Sequence, residues 1–204
     1  MPNKDGGVLE GWGFVALASG LLLAMTMLLL TTTGFDAEGA RVVIRATART
    51  SVVLFGAAFA ASSLVTLWKS DATRWMIRNR RYLGLSFGTS HIIHYIAVMA
   101  LMLLDPERFF AEEGSLGFDK YIPVVVLALQ LATSFDRTAA WVGPKPWRWL
   151  HVLGSYMFCF VFIQSFGSRI GQGSLYVLFT LIAVTPLLVR VAAALRRRGR
   201  VVAS

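Results

Sequence analysis

The chain has 204 residues, of which 56% are hydrophobic and only 15% are charged, and its mean hydropathy is +0.62. About a quarter of the residues in a soluble domain are charged, so this composition excludes an ordinary soluble protein and indicates an integral membrane protein. The single cysteine, Cys159, excludes an internal disulfide and any metal site built from several cysteines.

Windows of about 20 apolar residues predict an all-α membrane protein, a bundle of six transmembrane helices. In chain order the predicted spans cover about 12–32, 51–68, 83–104, 121–135, 149–166 and 175–195. The loops between them are short, and no soluble domain remains. We therefore expect one transmembrane domain over 1–204, ending in a basic tail at 196–204.

The net charge of +9 is distributed unevenly over the predicted loops. Basic residues concentrate in the loop after span two, the loop after span four and the tail, whereas the loop at 105–119 is acidic. Because alternate loops share one side, the positive-inside rule places both termini of this multi-pass membrane protein in the cytoplasm and the acidic loop outside. The cluster Arg196, Arg197 and Arg198 is expected to bind anionic lipid of the bilayer, not nucleic acid.

All three histidines lie in or beside apolar segments: His91 and His94 in span three, and His151 in span five. An ionisable side chain in hydrocarbon is costly and by default indicates function. A histidine in an apolar helix is interpreted first as an axial ligand of b-type haem. The alternative is a structural histidine that hydrogen-bonds to a backbone carbonyl or a hydroxyl. Histidines on two separate helices favour the first interpretation.

Helix geometry gives the expected depths of these side chains. Fourteen positions separate Arg80 from His94, a rise of roughly 21 Å, and thirteen separate His151 from Gln164, a rise of about 20 Å. We therefore expect Arg80 and His151 at the inner level of the membrane and His94 and Gln164 at the outer level.

A set of short motifs resembles the ferric reductase-like transmembrane domain superfamily over about 40–195, and most closely the haem-binding membrane subunit of bacterial periplasmic methionine sulfoxide reductase systems. The motifs are Arg49-Thr50, Arg80-Arg81-x-Leu83-Gly84-Leu85 with His94, Thr133-Ser134, and Trp147-x-x-Leu150-His151. The resemblance implies haem b, with His94 and His151 as iron ligands. It also implies that Arg80 replaces a histidine and pairs with a haem propionate, and that Gln164 occupies the outer ligand position of span five.

Glutamine at that position departs from the family pattern, because it is a poor iron ligand. Three outcomes stay open: two haems with one histidine each, one haem after loss of a site, or a fold without haem. His94 and His151 differ by nearly 20 Å in expected depth, so they are a poor pair for one haem. We expect His91 to hydrogen-bond near a haem edge or a neighbouring helix.

The leading functional hypothesis is a transmembrane electron-transfer subunit of an oxidoreductase system, without a complete catalytic site of its own. It would pass electrons from quinol or a cytoplasmic reductase to an extracytoplasmic redox partner docked at the acidic loop 105–119. The alternative is a haem-poor or haem-free subunit or assembly factor of a larger membrane complex. A small transporter is disfavoured, because the predicted spans contain no carboxylates and no inverted repeat.

Overall fold

The structure is a computed structural model that describes residues 9–113 and 117–202, apart from the side chains of 113, 118, 119 and 200–202. Residues 114–116 of the predicted acidic loop and the last two residues of the basic tail lie outside the described residues. The helices in chain order are α1 (Gly11–Thr33), α2 (Ala37–Leu67), α3 (Asp71–Arg78), α4 (Arg80–Leu104), α5 (Pro106–Glu113), α6 (Phe118–Ala132), α7 (Asp136–Val142), α8 (Pro144–Gly167) and α9 (Ser174–Val202), with a short 3-10 helix at Ile170–Gln172 before α9.

Within the described residues, five helices are long and apolar enough to cross a membrane: α1, α2, α4, α8 and the part of α9 up to Gly199. The chain is thus an all-α membrane protein with several candidate spans. The segment predicted at 121–135 forms α6, which ends at Ala132 and has 15 residues, a rise of about 22 Å. The helix stops there because Thr133 and Ser134 form a turn, in which the Thr133 hydroxyl donates to the carbonyl of Leu129.

Helix α2 begins 14 residues before the span predicted at 51–68. The side chain of Asp36 caps this helix by accepting a hydrogen bond from the backbone of Gly39 at 3.0 Å. Charged side chains in the added turns lower the local hydropathy, but Arg41 and Arg45 are ion-paired. The helix therefore extends beyond the span predicted at 51–68, since ion pairing allows it to continue through charged turns.

A cluster of phenylalanines forms the main core between α2, α4, α8 and α9. Phe55 of α2 lies 5.4 Å from Phe87 of α4 and 5.5 Å from Phe162 of α8, between ring centroids. Phe158 is completely buried in the same cluster. Aromatic contacts at these separations stabilise a helix interface beyond simple area burial, so this cluster fixes how the helices pack.

Three short helices lie where the sequence indicated plain loops. Helix α3 starts with a reciprocal capping box between Ser70 and Thr73. Helix α5 buries Phe109 against the ends of α2 and α4, beside Ala40 and Leu101. These helices hold the connections close against the long helices.

Candidate functional site

A continuous chain of hydrogen bonds joins α2 to α4 in the interior of the bundle. The hydroxyl of Ser51 donates to Ser90 at 2.9 Å, and the hydroxyl of Ser90 donates to the carbonyl of Thr47 at 3.2 Å. Thr50 also lies 2.9 Å from the Ser90 hydroxyl. Ser51 and Ser90 have no exposed surface. Buried hydroxyls that bridge two helices in this way link the helices specifically.

His94 is held at one end of this chain by α2. Its Nδ1 lies 3.2 Å from the carbonyl oxygen of Ile44 and 3.2 Å from Oγ1 of Thr47. A carbonyl only accepts, and the Thr47 hydroxyl already donates to Val43 at 2.7 Å, so Nδ1 of His94 carries the proton. The lone pair of neutral His94 is therefore on Nε2, which has no hydrogen-bond partner among the described residues. Histidines that bind metals show this arrangement.

His91 lies one turn earlier on the same helix, and its ring stacks on that of His94 at 5.1 Å between centroids. Nδ1 of His91 lies 3.2 Å from the Ser51 hydroxyl, whose proton is donated to Ser90, so Nδ1 is again the donor. The ring is buried and is enclosed by aromatic rings of α4 and α8, with Phe158 and Phe162 each at 5.7 Å. As expected, His91 thus hydrogen-bonds to a neighbouring helix.

His151 binds α6 instead of the α2–α4 chain. Its Nε2 lies 3.0 Å from the hydroxyl of Thr133, which itself donates to the carbonyl of Leu129 at 2.7 Å. Nε2 of His151 must therefore donate its proton to Thr133. The ring also stacks on Trp147 at 4.5 Å, and Trp147 donates its indole N–H to the Thr133 carbonyl. The hydrogen bond to Thr133 therefore occupies Nε2 of His151, the ring nitrogen that usually binds haem iron.

Arg80 and Gln164 occupy different environments. Arg80 donates from Nε to the carbonyl of Ala58 on α2, at 3.1 Å. The common level expected for Arg80 and His151 stays a prediction. Gln164 is exposed on α8, because thirteen positions rotate it by about 220° from His151. No described hydrogen bond joins it to another helix.

These placements test which residues fit the haem that the family resemblance implies. The protonation pattern of His94 fits a single axial ligand. The pair of His94 and His151 does not fit, because one binds α2, the other binds α6, and the Nε2 of His151 is already used. The space opposite His91 is filled by Phe158 and Phe162. Among the described residues, the histidine whose Nε2 is unbonded and whose ring is not enclosed by phenylalanines is therefore His94, and no described hydrogen bond brings Gln164 toward it.

Two grooves elsewhere in the described structure have volumes of about 250 and 200 Å³. The first lies between α2 and α9, beside Gly56 and Pro186, and the second lies between α1, α2 and α4. Neither is lined by a histidine, and both are smaller than typical cofactor pockets of about 300–1,000 Å³. No group of three or more histidine, cysteine or acidic side chains is placed to hold a metal ion within the described residues.

Several residues of this site were not predicted from the sequence as its members. They are the partners of the histidines: Ile44, Thr47, Ser51, Ser90 and, as a hydrogen-bond acceptor, Thr133. Hydroxyl residues within apolar spans were the available signal, since such residues often bond across helices.

The fold defines the class of the protein as an all-α membrane protein, and comparisons with known proteins do not narrow this class. No family model matches the chain, and neither the curated proteins nor the solved structures contain a match.

Proposed function

We propose that this protein is a membrane electron-transfer subunit that binds one b-type haem through His94. The observation that carries the proposal is the hydrogen bond from Nδ1 of His94 to the carbonyl of Ile44, which leaves the lone pair on Nε2. A bound haem b supplies one-electron redox chemistry. Ile44 and Thr47 orient the imidazole and raise its basicity, which is the role of hydrogen-bond partners behind a metal ligand.

His94 is a better candidate for this role than His91. Both rings have a free Nε2, but His91 is enclosed by Phe87, Phe158 and Phe162, whereas His94 is only partly buried. His91 then acts as a neighbour that packs against His94. His151 serves to join α8 to α6, and a second haem at His151 would require its bond to Thr133 to break.

The absorption spectrum of the purified protein tests this proposal. Wild-type protein from haem-replete cells is expected to show a Soret band and a reduced b-type α band, with about one haem per chain by pyridine haemochrome. His94→Ala should lose most of the haem, while the matched variant His91→Ala should retain most of it. Haem-free wild-type protein, or complete loss of haem in His91→Ala alone, would overturn the assignment to His94.

The proposed topology has six spans, with α6 as the fourth, and both termini in the cytoplasm of a bacterial inner membrane. It is supported by the uneven charge of the loops and by five helices of sufficient length. Single cysteines can be placed at exposed Arg108 and exposed Asp71, in a Cys159→Ala background, and labelled with an impermeant maleimide in intact cells or spheroplasts. Only the cysteine at 108 should react from outside. Labelling of both positions from outside would contradict the topology.

On this proposal, electrons enter from quinol or a cytoplasmic reductase and leave to an extracytoplasmic partner. The described acidic residues near α5 are partly neutralised, because Arg41 pairs with Asp105 and Glu112. The exposed Glu107 stays available for a basic patch on a partner.

A haem-free subunit of a larger membrane complex is the second candidate. It is favoured by the aromatic rings that fill the space between α4 and α8 beside His91. A partner that co-purifies at fixed stoichiometry from wild-type protein and from the His94→Ala variant, with no haem in either, would support this candidate.

A further inference from the structure

Two arginines from different helices converge on neighbouring carbonyls of α2. Arg80 at the start of α4 donates from Nε to Ala58 at 3.1 Å, and Arg190 of α9 donates from Nη1 to Phe59 at 3.1 Å. Arg190 also donates from Nε to the hydroxyl of Tyr156 at 3.3 Å and lies over the Phe59 ring at 4.4 Å. Because these carbonyls belong to successive residues of one helix, the two guanidinium groups approach the same turn of α2.

Neither arginine has a carboxylate partner among the described residues, although six other described arginines form ion pairs. The described hydrogen bonds and ring contacts of Arg80 and Arg190 are all with neutral carbonyls, hydroxyls or rings. Both Nη groups of Arg80 and Nη2 of Arg190 make no described hydrogen bond. Bringing two positive charges together without a negative charge is unfavourable, so the pair is complementary to an anion with several acceptor oxygens.

The position of the pair indicates the kind of anion. Arg80 is exposed and Arg190 is half-buried, and the α2 carbonyls that they bind lie about two turns before the basic end of α2, which Arg196 and Arg197 contact. At this end of a transmembrane helix the phosphates of lipids are the most abundant anions. A guanidinium presents its N–H groups in a planar fork that matches two phosphate oxygens.

We infer that Arg80 and Arg190, with the Tyr156 hydroxyl, form a binding site for a phosphate group at the basic end of the bundle, supplied by an anionic phospholipid or by free phosphate. The bound phosphate bridges α4 and α9, each of which donates an arginine hydrogen bond to α2 at this place. This inference does not depend on haem binding at His94, since its ligand and its residues are different.

Native mass spectrometry of the purified protein tests the site, with phosphatidylglycerol as the probe and phosphatidylcholine as the neutral comparison. The variant Arg80→Gln/Arg190→Gln should bind phosphatidylglycerol about thirtyfold more weakly, because each of the two arginines contributes on the order of 1 kcal/mol to anionic lipid binding and about 1.4 kcal/mol corresponds to a tenfold change. The matched control Arg74→Gln/Arg78→Gln removes the same charge from arginines that already pair with Asp71 and Glu10. It should keep binding within about twofold, since charge at a distance is screened.

Competition separates the two sources of phosphate. If millimolar inorganic phosphate displaces the lipid from wild-type protein, free phosphate occupies the site; if it does not, the lipid is the ligand.

Arg80→Lys/Arg190→Lys keeps both charges and should retain part of the binding. This variant provides a folded comparison if the glutamine variant unfolds. Equal binding of phosphatidylglycerol by Arg80→Gln/Arg190→Gln and by Arg74→Gln/Arg78→Gln would overturn the inference. Unchanged lipid binding with lost haem in Arg80→Gln/Arg190→Gln would overturn it too, by assigning the pair to a haem propionate.

Discussion

Single hydroxyl groups have very different roles on α4, although they look equivalent in the sequence. Ser86 and Ser90 are one turn apart, and both are completely buried. Ser90 lies at the centre of the hydrogen-bond chain to α2, whereas the hydroxyl of Ser86 has no hydrogen-bond partner in the described structure. The energetic value of a buried hydroxyl depends on whether it is paired.

Replacing Ser90 by alanine should therefore destabilise the protein, by about 1 kcal/mol, because the hydroxyls of Thr50 and Ser51 lose their common partner. Ser86→Ala is the matched control and should leave the free energy of unfolding unchanged or raise it. Reversible unfolding in mixed detergent micelles measures both variants. An equal loss in the two variants would show that the chain to α2 contributes nothing specific.

At the scale of elements, helix α5 is joined to the long helices by both apolar and ionic contacts. Phe109 is buried, and the carboxylate of Glu112 lies 2.7 Å from Arg108 and 2.7 Å from Arg41 of α2. The hydrogen bond from Arg108, and after it the one from Arg41, lowers the pKa of Glu112. A carboxylate whose pKa is lowered by folding stabilises the folded state above its unfolded pKa and loses this effect on acidification.

The contact of α5 with α2 should accordingly be constant near neutral pH and weaken below about pH 4, as Glu112 is protonated. A spin label at exposed position 111, in a Cys159→Ala background, should become more mobile in that range. Glu112→Gln removes the titrating group. In this variant the spin label at position 111 should be mobile at every pH, and its mobility should change less with pH than in the wild type. A pH profile identical to that of the wild type would mean that Asp105, not Glu112, controls the contact.

At the scale of the whole molecule, the sequence predicts the long helices well, because the requirement for apolar residues in a membrane is local. Hydropathy does not show that α2 begins before its apolar window, where Arg41 is neutralised by Asp105 and Glu112, more than 60 positions away. The histidines were recognised from the sequence, but their partners were not. Which face of α4 meets Thr47 and Ser51 is decided by packing of the whole bundle, and hydropathy does not contain that information.

The phenylalanine cluster links this packing to the global stability of the bundle. Phe158 and Phe160 lie on the same helix, two positions apart, but Phe158 is 0% exposed and Phe160 is 65% exposed. Phe158 contacts Phe55 of α2 and Phe87 of α4, so it joins three helices. Removing the Phe158 ring leaves a cavity between these three helices, whereas removing the exposed Phe160 ring leaves no cavity.

We therefore expect Phe158→Ala to lower the free energy of unfolding by about 3–5 kcal/mol, as large-to-small substitutions do in well-packed cores. The matched variant Phe160→Ala should change it by less than about 0.5 kcal/mol. Both are measured by thermal or detergent-induced unfolding under identical conditions. If the two variants unfold alike, Phe158 faces lipid and does not join α8 to α2 and α4. A selective loss in Phe158→Ala would instead support the burial of this ring between the three helices, beside the ring of His91.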